Sequence, residues 1–322
     1  MISVSRTKAL AVLVVLLSVL CGLAGCRGRA AGQRRLSFWS SLMGSKEMAR
    51  QALISDFEKA HPNVKVEHQG FFDIEEQNKK LLVAMASGTP PDLASNHLYF
   101  TARYAATGQL QALDDWMRRD GIKGEQFEPS LFKGCLYEGK TYALPVFAAP
   151  WVLYYNRELF KKAGFDPDRP PGTWEELRDY AKRMTAWKGS SIEQAGLDVP
   201  YQVEDTMSDT FLTLFYQAGG EFLAPDGKRV AFDGPEGVEA LQFMVDLMRK
   251  DRVSQIGFGQ GLDQTPQSPF NAGKMAMSMM GPWGIINVSK YSPNLPYAVA
   301  PPACAPAAAP PHRAGSASTW TR

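Results

Sequence analysis

The sequence predicts an α/β protein, and three observations carry that prediction. Short apolar or alternating runs at residues 36–39, 64–68 and 92–94 read as strands, and the stretches between them read as helices with one apolar face. The order up to Thr107 is therefore βαβαβα, the order of a mostly parallel sheet with helical crossovers. The 322 residues, 45% hydrophobic and 21% charged, have an ordinary globular composition and suffice for one large domain or two lobes.

Each element has a local reason. Leu36-Ser37-Phe38-Trp39 is the first strand, and a helix over 46–60 follows with Met48, Leu53 and Phe57 on one face. His61-Pro62-Asn63 stops it, because the residue before proline avoids helical angles. Val64-Lys65-Val66-Glu67-His68 alternates as the second strand. The next helix, 74–87, sets Glu75/Lys79 and Glu76/Lys80 at i,i+4 on its wet face and Leu81, Leu82 and Met85 on its dry one. Gly88 ends it, and Pro90-Pro91 lead into a short strand at 92–94 and a helix to Thr107, closed by Gly108.

Further on, Leu136-Tyr137 and Thr141-Tyr142 flank a tight Gly139-Lys140 turn, a hairpin. The continuous apolar run 151–155 suits a strand covered on both faces. Residues 157–163 are helical and Gly164 caps them. Thr173-Trp174-Glu175-Glu176 is a capping box, in which Thr173 takes the amide three residues on and Glu176 reaches back. Helices at 205–218 and 235–249 follow, the second opened by Pro235. A buried strand at 275–280 runs into Gly281-Pro282-Trp283-Gly284. From Pro301 to Arg322 Ala and Pro dominate, with no Val, Ile, Leu, Phe or Met, so this tail reads as low-complexity and disordered.

The amino terminus bears on location. Arg6 and Lys8 precede an uncharged run that ends in Leu23-Ala24-Gly25-Cys26, the layout of a secretory signal over 1–25. An uncleaved membrane anchor is the alternative, but the uncharged stretch 9–25 falls short of the roughly 20 residues a span needs. The Leu-Ala-Gly-Cys ending resembles a bacterial lipobox. That resemblance implies acyl chains on Cys26 and an exported protein tethered to the cell membrane. Residues 26–35, with Arg27, Arg29, Arg34 and Arg35 among Gly and Ala, then form a flexible tether able to touch anionic headgroups.

Composition excludes several classes. A net charge of +2 gives no reason to expect a nucleic-acid partner. Of four cysteines, Cys21 lies in the signal and Cys26 is the lipid site. Cys135 and Cys304 remain, so the fold rests on its core rather than on disulfides, with Cys135 buried and unpaired. No Gly-x-x-x-x-Gly-Lys-Ser/Thr, His-Glu-x-x-His or Gly-x-Ser-x-Gly motif occurs. His61 closes a helix and His68 ends a strand, which are surface roles rather than metal ligands. Gly257-Phe258-Gly259-Gln260-Gly261 reads as a loop. Glu75-Glu76 and Glu175-Glu176 point to different sides of their helices and cannot work as acid–base pairs. No enzymatic activity, metal or cofactor is expected.

Aromatic residues at element ends stand out instead. Trp39, Tyr99, Trp151 and Trp283 fall at strand or helix termini, and ligands of open α/β sheets lie outside the carboxyl ends of the strands. Aromatic faces there suit a sugar, whose C–H groups stack on the ring while polar groups fix its rim. Simple packing is the alternative for each. Ser40, Ser41, Asn96 and Asp209 are the candidate polar contacts.

These residues form an ordered series. It includes Phe57-Glu58-Lys59-Ala60-His61-Pro62-Asn63-Val64-Lys65-Val66 and Ala86-Ser87-Gly88-Thr89-Pro90-Pro91-Asp92-Leu93. Gly139-Lys140-Thr141-Tyr142-Ala143-Leu144-Pro145, Tyr155-Asn156-Arg157-Glu158-Leu159-Phe160 and Pro171-Gly172-Thr173-Trp174-Glu175-Glu176-Leu177 continue it. Gly219-Gly220, Phe270-Asn271-Ala272-Gly273-Lys274-Met275-Ala276-Met277 and Gly281-Pro282-Trp283 complete it. The chain resembles the extracellular solute-binding proteins of bacterial ABC importers, in the sugar-binding family that includes maltose-binding protein.

The resemblance implies the two-lobed periplasmic-binding-protein fold (type II-like), with mixed sheets flanked by helices and a hinge between lobes. The first lobe would span 36–145, and 146–300 would form mainly the second with the hinge crossings, ahead of the 301–322 tail. It implies a monomer that closes on a carbohydrate and presents it to ABC permease subunits. Trp283 matches a sugar-stacking tryptophan of the family and Trp39 a position that faces the cleft. Asn96 is not aromatic where the family has an aromatic residue, Ala149 replaces an acidic sugar contact, and Tyr99-Phe100 replace a charged pair. These departures point away from maltose and toward another saccharide or a polyol derivative. Family members continue beyond Pro302, so a frameshift or premature end is expected there. Three alternatives stay open. One is a same-fold receptor for a non-sugar solute such as a phosphorylated polyol or a peptide, with Arg103 and Lys274 as candidate phosphate contacts. Another is a surface glycan-active enzyme, which needs two carboxylates about 5–10 Å apart. The third is a non-functional remnant.

Overall fold

The computed structural model describes residues 33–41, 46–71, 74–199, 204–224, 229–254 and 265–305, in two compact units that divide between Val146 and Phe147. The expected signal over 1–25, Cys26, the 257–261 stretch and the chain from 306 lie outside the described residues. No described helix is long and apolar enough to cross a membrane.

The first unit contains β1 (Arg34–Ser41), α1 (Lys46–Ala60), β2 (Val64–Phe71), α2 (Ile74–Ala86) and β3 (Leu93–Ser95). After a 3₁₀ turn at Leu98–Phe100 come α3 (Thr101–Ala105), α4 (Asp114–Asp120), α5 (Pro129–Lys133), β4 (Leu136–Tyr137) and β5 (Lys140–Thr141). The sheet runs β2-β1-β3 with both pairs parallel, as the βαβαβα order predicts. Its core is Leu81, Met85 and Tyr104, with Trp39, Phe100 and Leu110 against them.

Two expectations change here. On α1, Leu53 is 68% and Phe57 40% exposed. Arg50, Ile54 and Glu58 are the half-buried positions among those described, and Glu58 accepts hydrogen bonds from the Val66 amide and Lys65 at 2.8 Å each. The i,i+4 stripe marks a helix face without saying which neighbour meets it. In the hairpin Tyr137 pairs with Lys140, so the turn is Glu138-Gly139, not Gly139-Lys140. Both turn residues have positive φ (47° and 76°), the signature of a type I′ turn whose twist matches the strands.

The second unit contains β6 (Val152–Asn156), α6 (Arg157–Lys162), α7 (Trp174–Met184), β7 (Ala186–Lys188), β8 (Ser191–Leu197) and α8 (Glu204–Gln217). It continues with α9 (Pro235–Arg249), β9 (Met275–Met280), α10 (Trp283–Tyr291) and β10 (Tyr297–Ala300). The sheet order is β10-β6-β9-β8-β7, parallel between β8 and β9 and antiparallel elsewhere. Every residue of β9 is buried, as expected of a central strand with helices on both faces. Burying each of its four methionines contributes roughly 1.5–3 kcal/mol.

Local chemistry sets the helix ends. Asn156 Oδ1 caps α6 by accepting from the Glu158 and Leu159 amides. Thr173 Oγ1 accepts from the Glu176 amide at 3.2 Å, as the capping box predicts. Glu176 reaches back one residue further than expected, to the Gly172 amide at 2.7 Å. The Ala/Pro-rich stretch also begins inside the fold. Cys304 donates to the Gly172 carbonyl and accepts from the Trp174 amide, while Ala303 and Ala305 are buried. Backbone pairing of this kind needs no large side chain, which is why composition did not mark it. Cys135 is buried and unpaired, and burial pushes its thiol pKa up.

Candidate functional site

In the first unit the parallel register brings the expected residues to one end of the sheet. Trp39 stands opposite Ala94 and Ser40 opposite Ser95, so Ser41 and Asn96 follow together at the carboxyl ends of β1 and β3. Alternation along β1 then separates their roles. Trp39 turns toward α2, edge-on to Phe71 with ring centroids 5.3 Å apart, and lines an open groove of about 410 Å³ with Lys79, Lys80, Val83, Ser87 and Thr89. Ser40 turns to the other face, is fully buried, and sits 2.8 Å from His68 Nε2. That hydroxyl is held inside the fold rather than presented to a solute. The Ser41 carbonyl accepts from Arg50 at 3.0 Å.

Asn96 is half-buried and held at both ends. Its Nδ2 donates to Asn78 Oδ1 at 2.6 Å, and its Oδ1 accepts from the His97 amide at 2.8 Å. Tyr99 is 63% exposed, with its hydroxyl 2.7 Å from His97 Nδ1. Asn78 Oδ1 also accepts from the buried Tyr104 hydroxyl at 3.0 Å. Gln77 and Asn78 were missing from the sequence-derived set. Their spacing from Leu81 and Met85 puts them on the dry face of α2, which was the available clue.

In the second unit β6 and β9 are antiparallel, with Val152 opposite Met280. Trp151 enters β6 where Trp283 leaves β9, so the two indoles meet at 5.7 Å and 86°, edge to face. Both are half-buried. A Cβ on Gly281 would overlap the Trp283 ring, so the glycine is what lets the indole fold back over the chain. The Gly281 carbonyl accepts from the buried Tyr154 hydroxyl at 2.9 Å, which fixes the turn from below. The result is two aromatic surfaces at right angles at the carboxyl end of the buried central strand. Asp209 lies half-buried on α8, its carbonyl bonded to the Thr213 hydroxyl. Lys274 opens β9 at the opposite end from Trp283, about 20 Å away along the strand, so it does not join the tryptophan pair.

Asp198, just past β8, was also missed. Its amide donates to the Met277 carbonyl at 3.0 Å, the residue is 4% exposed, and Oδ2 has no hydrogen-bond partner. Burial alone pushes its pKa up to about 8. Among the described residues no three His, Cys, Asp or Glu side chains form a metal-binding group.

The bacterial extracellular solute-binding protein family matches residues 44–320. The sn-glycerol-3-phosphate-binding periplasmic protein of Escherichia coli K12 is 27% identical over 270 residues, covering 82% of this chain and 60% of the relative. The chain thus spans about 60% of the length of such curated relatives. An ABC transporter solute-binding protein from Thermotoga lettingae, solved with α-D-tagatose, superposes with a TM-score of 0.70 at 28% identity, over 83% of this chain and 67% of that one. The maltose-bound T. maritima MalE3 protein superposes at 0.70 and 26% identity, over 84% and 68%. The chain belongs to the bacterial extracellular solute-binding protein family.

Proposed function

We propose that this chain is the solute receptor of a bacterial ABC importer, taking a carbohydrate and delivering it to permease subunits. The observation that carries the reading is the Trp151–Trp283 pair, two indoles at right angles at the end of a buried strand. One flat face stacks on a sugar ring while the other bounds the subsite. Trp39, Ser41, Asn96 and Tyr99 are the candidate contacts within the first unit, and Asp209 is a candidate polar contact within the second. Binding makes and breaks no covalent bond. The sugar-bound structural neighbours support this class of ligand. The chain is exported, anchored through acylated Cys26, and acts as a monomer.

The experiment is titration of the full chain with D-tagatose, maltose and mannotriose by calorimetry and tryptophan fluorescence. Saturable binding with quenching is expected, and Trp283→Ala should weaken it at least tenfold, about 1.4 kcal/mol. Unchanged binding by that variant would remove the tryptophan pair from the site.

A second reading is a receptor for a phosphorylated polyol, favoured by the E. coli relative. With Lys274 at the far end of β9, Arg103 on α3, exposed and four residues past Tyr99, is its candidate cation. Binding of sn-glycerol 3-phosphate that Arg103→Ala abolishes would establish it over the first.

A further inference from the structure

Gln77 and Asn78, in the first half of α2, are 0% and 4% exposed. Gln77 donates its side-chain amide to the Ser95 carbonyl at 2.8 Å. Asn78 Oδ1 is taken by Asn96 and Tyr104. Each residue keeps one buried polar atom without a partner: the acceptor Gln77 Oε1 and the donor Asn78 Nδ2. Buried amide atoms are rarely left so, because an unmade hydrogen bond costs more than a made one gains.

The two orphans are complementary and adjacent in sequence, and both side chains grip the carboxyl end of β3 at Ser95 and Asn96. That is the end of a parallel sheet where ligands lie. We propose that Gln77 and Asn78 read one hydroxyl of the bound solute, which accepts from Asn78 Nδ2 and donates to Gln77 Oε1. The assignment rests on the receptor reading above and names the chemistry of one of its subsites. A hydroxyl is both donor and acceptor, as the pair requires. An ionised phosphate oxygen only accepts and would face Gln77 Oε1 with lone pair against lone pair. An ammonium only donates and would meet the Asn78 N–H in the same mismatched way. The pair therefore selects a neutral polyol at this position and disfavours a charged group. Asn96 is the half-exposed partner of Asn78 while Tyr104 is buried. Asn96 is accordingly the side chain that turns outward to admit the hydroxyl.

The test uses the full chain and two variants. Gln77→Met keeps the approximate shape and removes the orphan acceptor together with the donor to the Ser95 carbonyl. Asn78→Asp keeps both accepting contacts and removes the orphan donor. Thermal melting without ligand checks folding, and Gln77→Met is expected to melt somewhat lower than the unmodified chain, since it also gives up the hydrogen bond to the Ser95 carbonyl. Calorimetry with whichever of D-tagatose, maltose or mannotriose binds should then show each variant five- to tenfold weaker. Among the monodeoxy analogues of that sugar, one should bind the unmodified chain about tenfold more weakly yet bind Gln77→Met no worse than the parent sugar does. Equal sugar affinity in Gln77→Met and the unmodified chain would mean that an ordered water fills the pair, and would overturn the assignment while leaving the receptor reading intact. Failure of the unmodified chain to bind any of the three sugars would overturn both.

Discussion

The indole of Trp283 lies against the bare Cα of Gly281, where a Cβ would overlap its six-membered ring. The short Gly-Pro-Trp-Gly sequence is thereby a device for laying an aromatic face over its own backbone, beside Trp151. Gly281→Ala should force the ring away and cost about 1–3 kcal/mol, as overpacking does. Urea unfolding checks the stability loss, and a shift in tryptophan emission checks that the indole pair has parted.

Asp198 makes stability depend on pH. Its folded pKa of about 8 stands above the ordinary 3.8, so the folded chain holds a proton that the unfolded chain releases. Stability from this group is complete below about pH 4 and is lost progressively as pH rises to about 8. Asp198→Asn removes that slope. The variant should gain on the parent chain with rising pH, by a few kcal/mol at pH 7. Denaturant midpoints of both proteins from pH 4 to 8 measure the difference, and parallel curves would contradict it.

The Glu138-Gly139 turn predicts a pair of opposite effects. Gly139→Ala places a Cβ at φ 76° and should cost about 1 kcal/mol. Glu138→Asn puts a residue that tolerates φ 47° at the other turn position and should stabilise by a few tenths of a kcal/mol. Thermal melting of the two variants, compared with the parent chain, reads both signs.

Anchoring through Cys26 predicts that Cys26→Ala moves the protein from the membrane fraction to the soluble exported fraction. Metabolic labelling with palmitate should mark the parent and not the variant. Label retained by the variant would place the acyl chain elsewhere.

Much of the fold is legible in the chain because its cues are local. Thr173, Pro235 and Gly164 mark helix ends with interactions that span only a few residues, and the structure places helices there. The all-buried β9 announces itself as an unbroken Met-rich run. β8 escaped notice although it is central. Its Ser-Ile-Glu-Gln-Ala-Gly-Leu sequence neither alternates cleanly nor stays apolar, and only its pairing with β9 on one side and β7 on the other makes it a strand. The site divides in the same way. Trp151 and Trp283 could be named from their positions at element ends, whereas their meeting depends on the antiparallel register of β6 and β9.

By itself the sequence determined the α/β alternation, most helix ends, the aromatic residues at strand ends and the family to which the chain belongs. Tertiary structure decided which side of each element faces what. It buried Ser40 against His68, left Leu53 and Phe57 in solvent, and gathered Gln77, Asn78 and Asn96 at one sheet end. The reason is physical: dihedral and capping preferences act within a turn of chain, while burial and hydrogen-bond satisfaction are properties of neighbours brought together from distant positions.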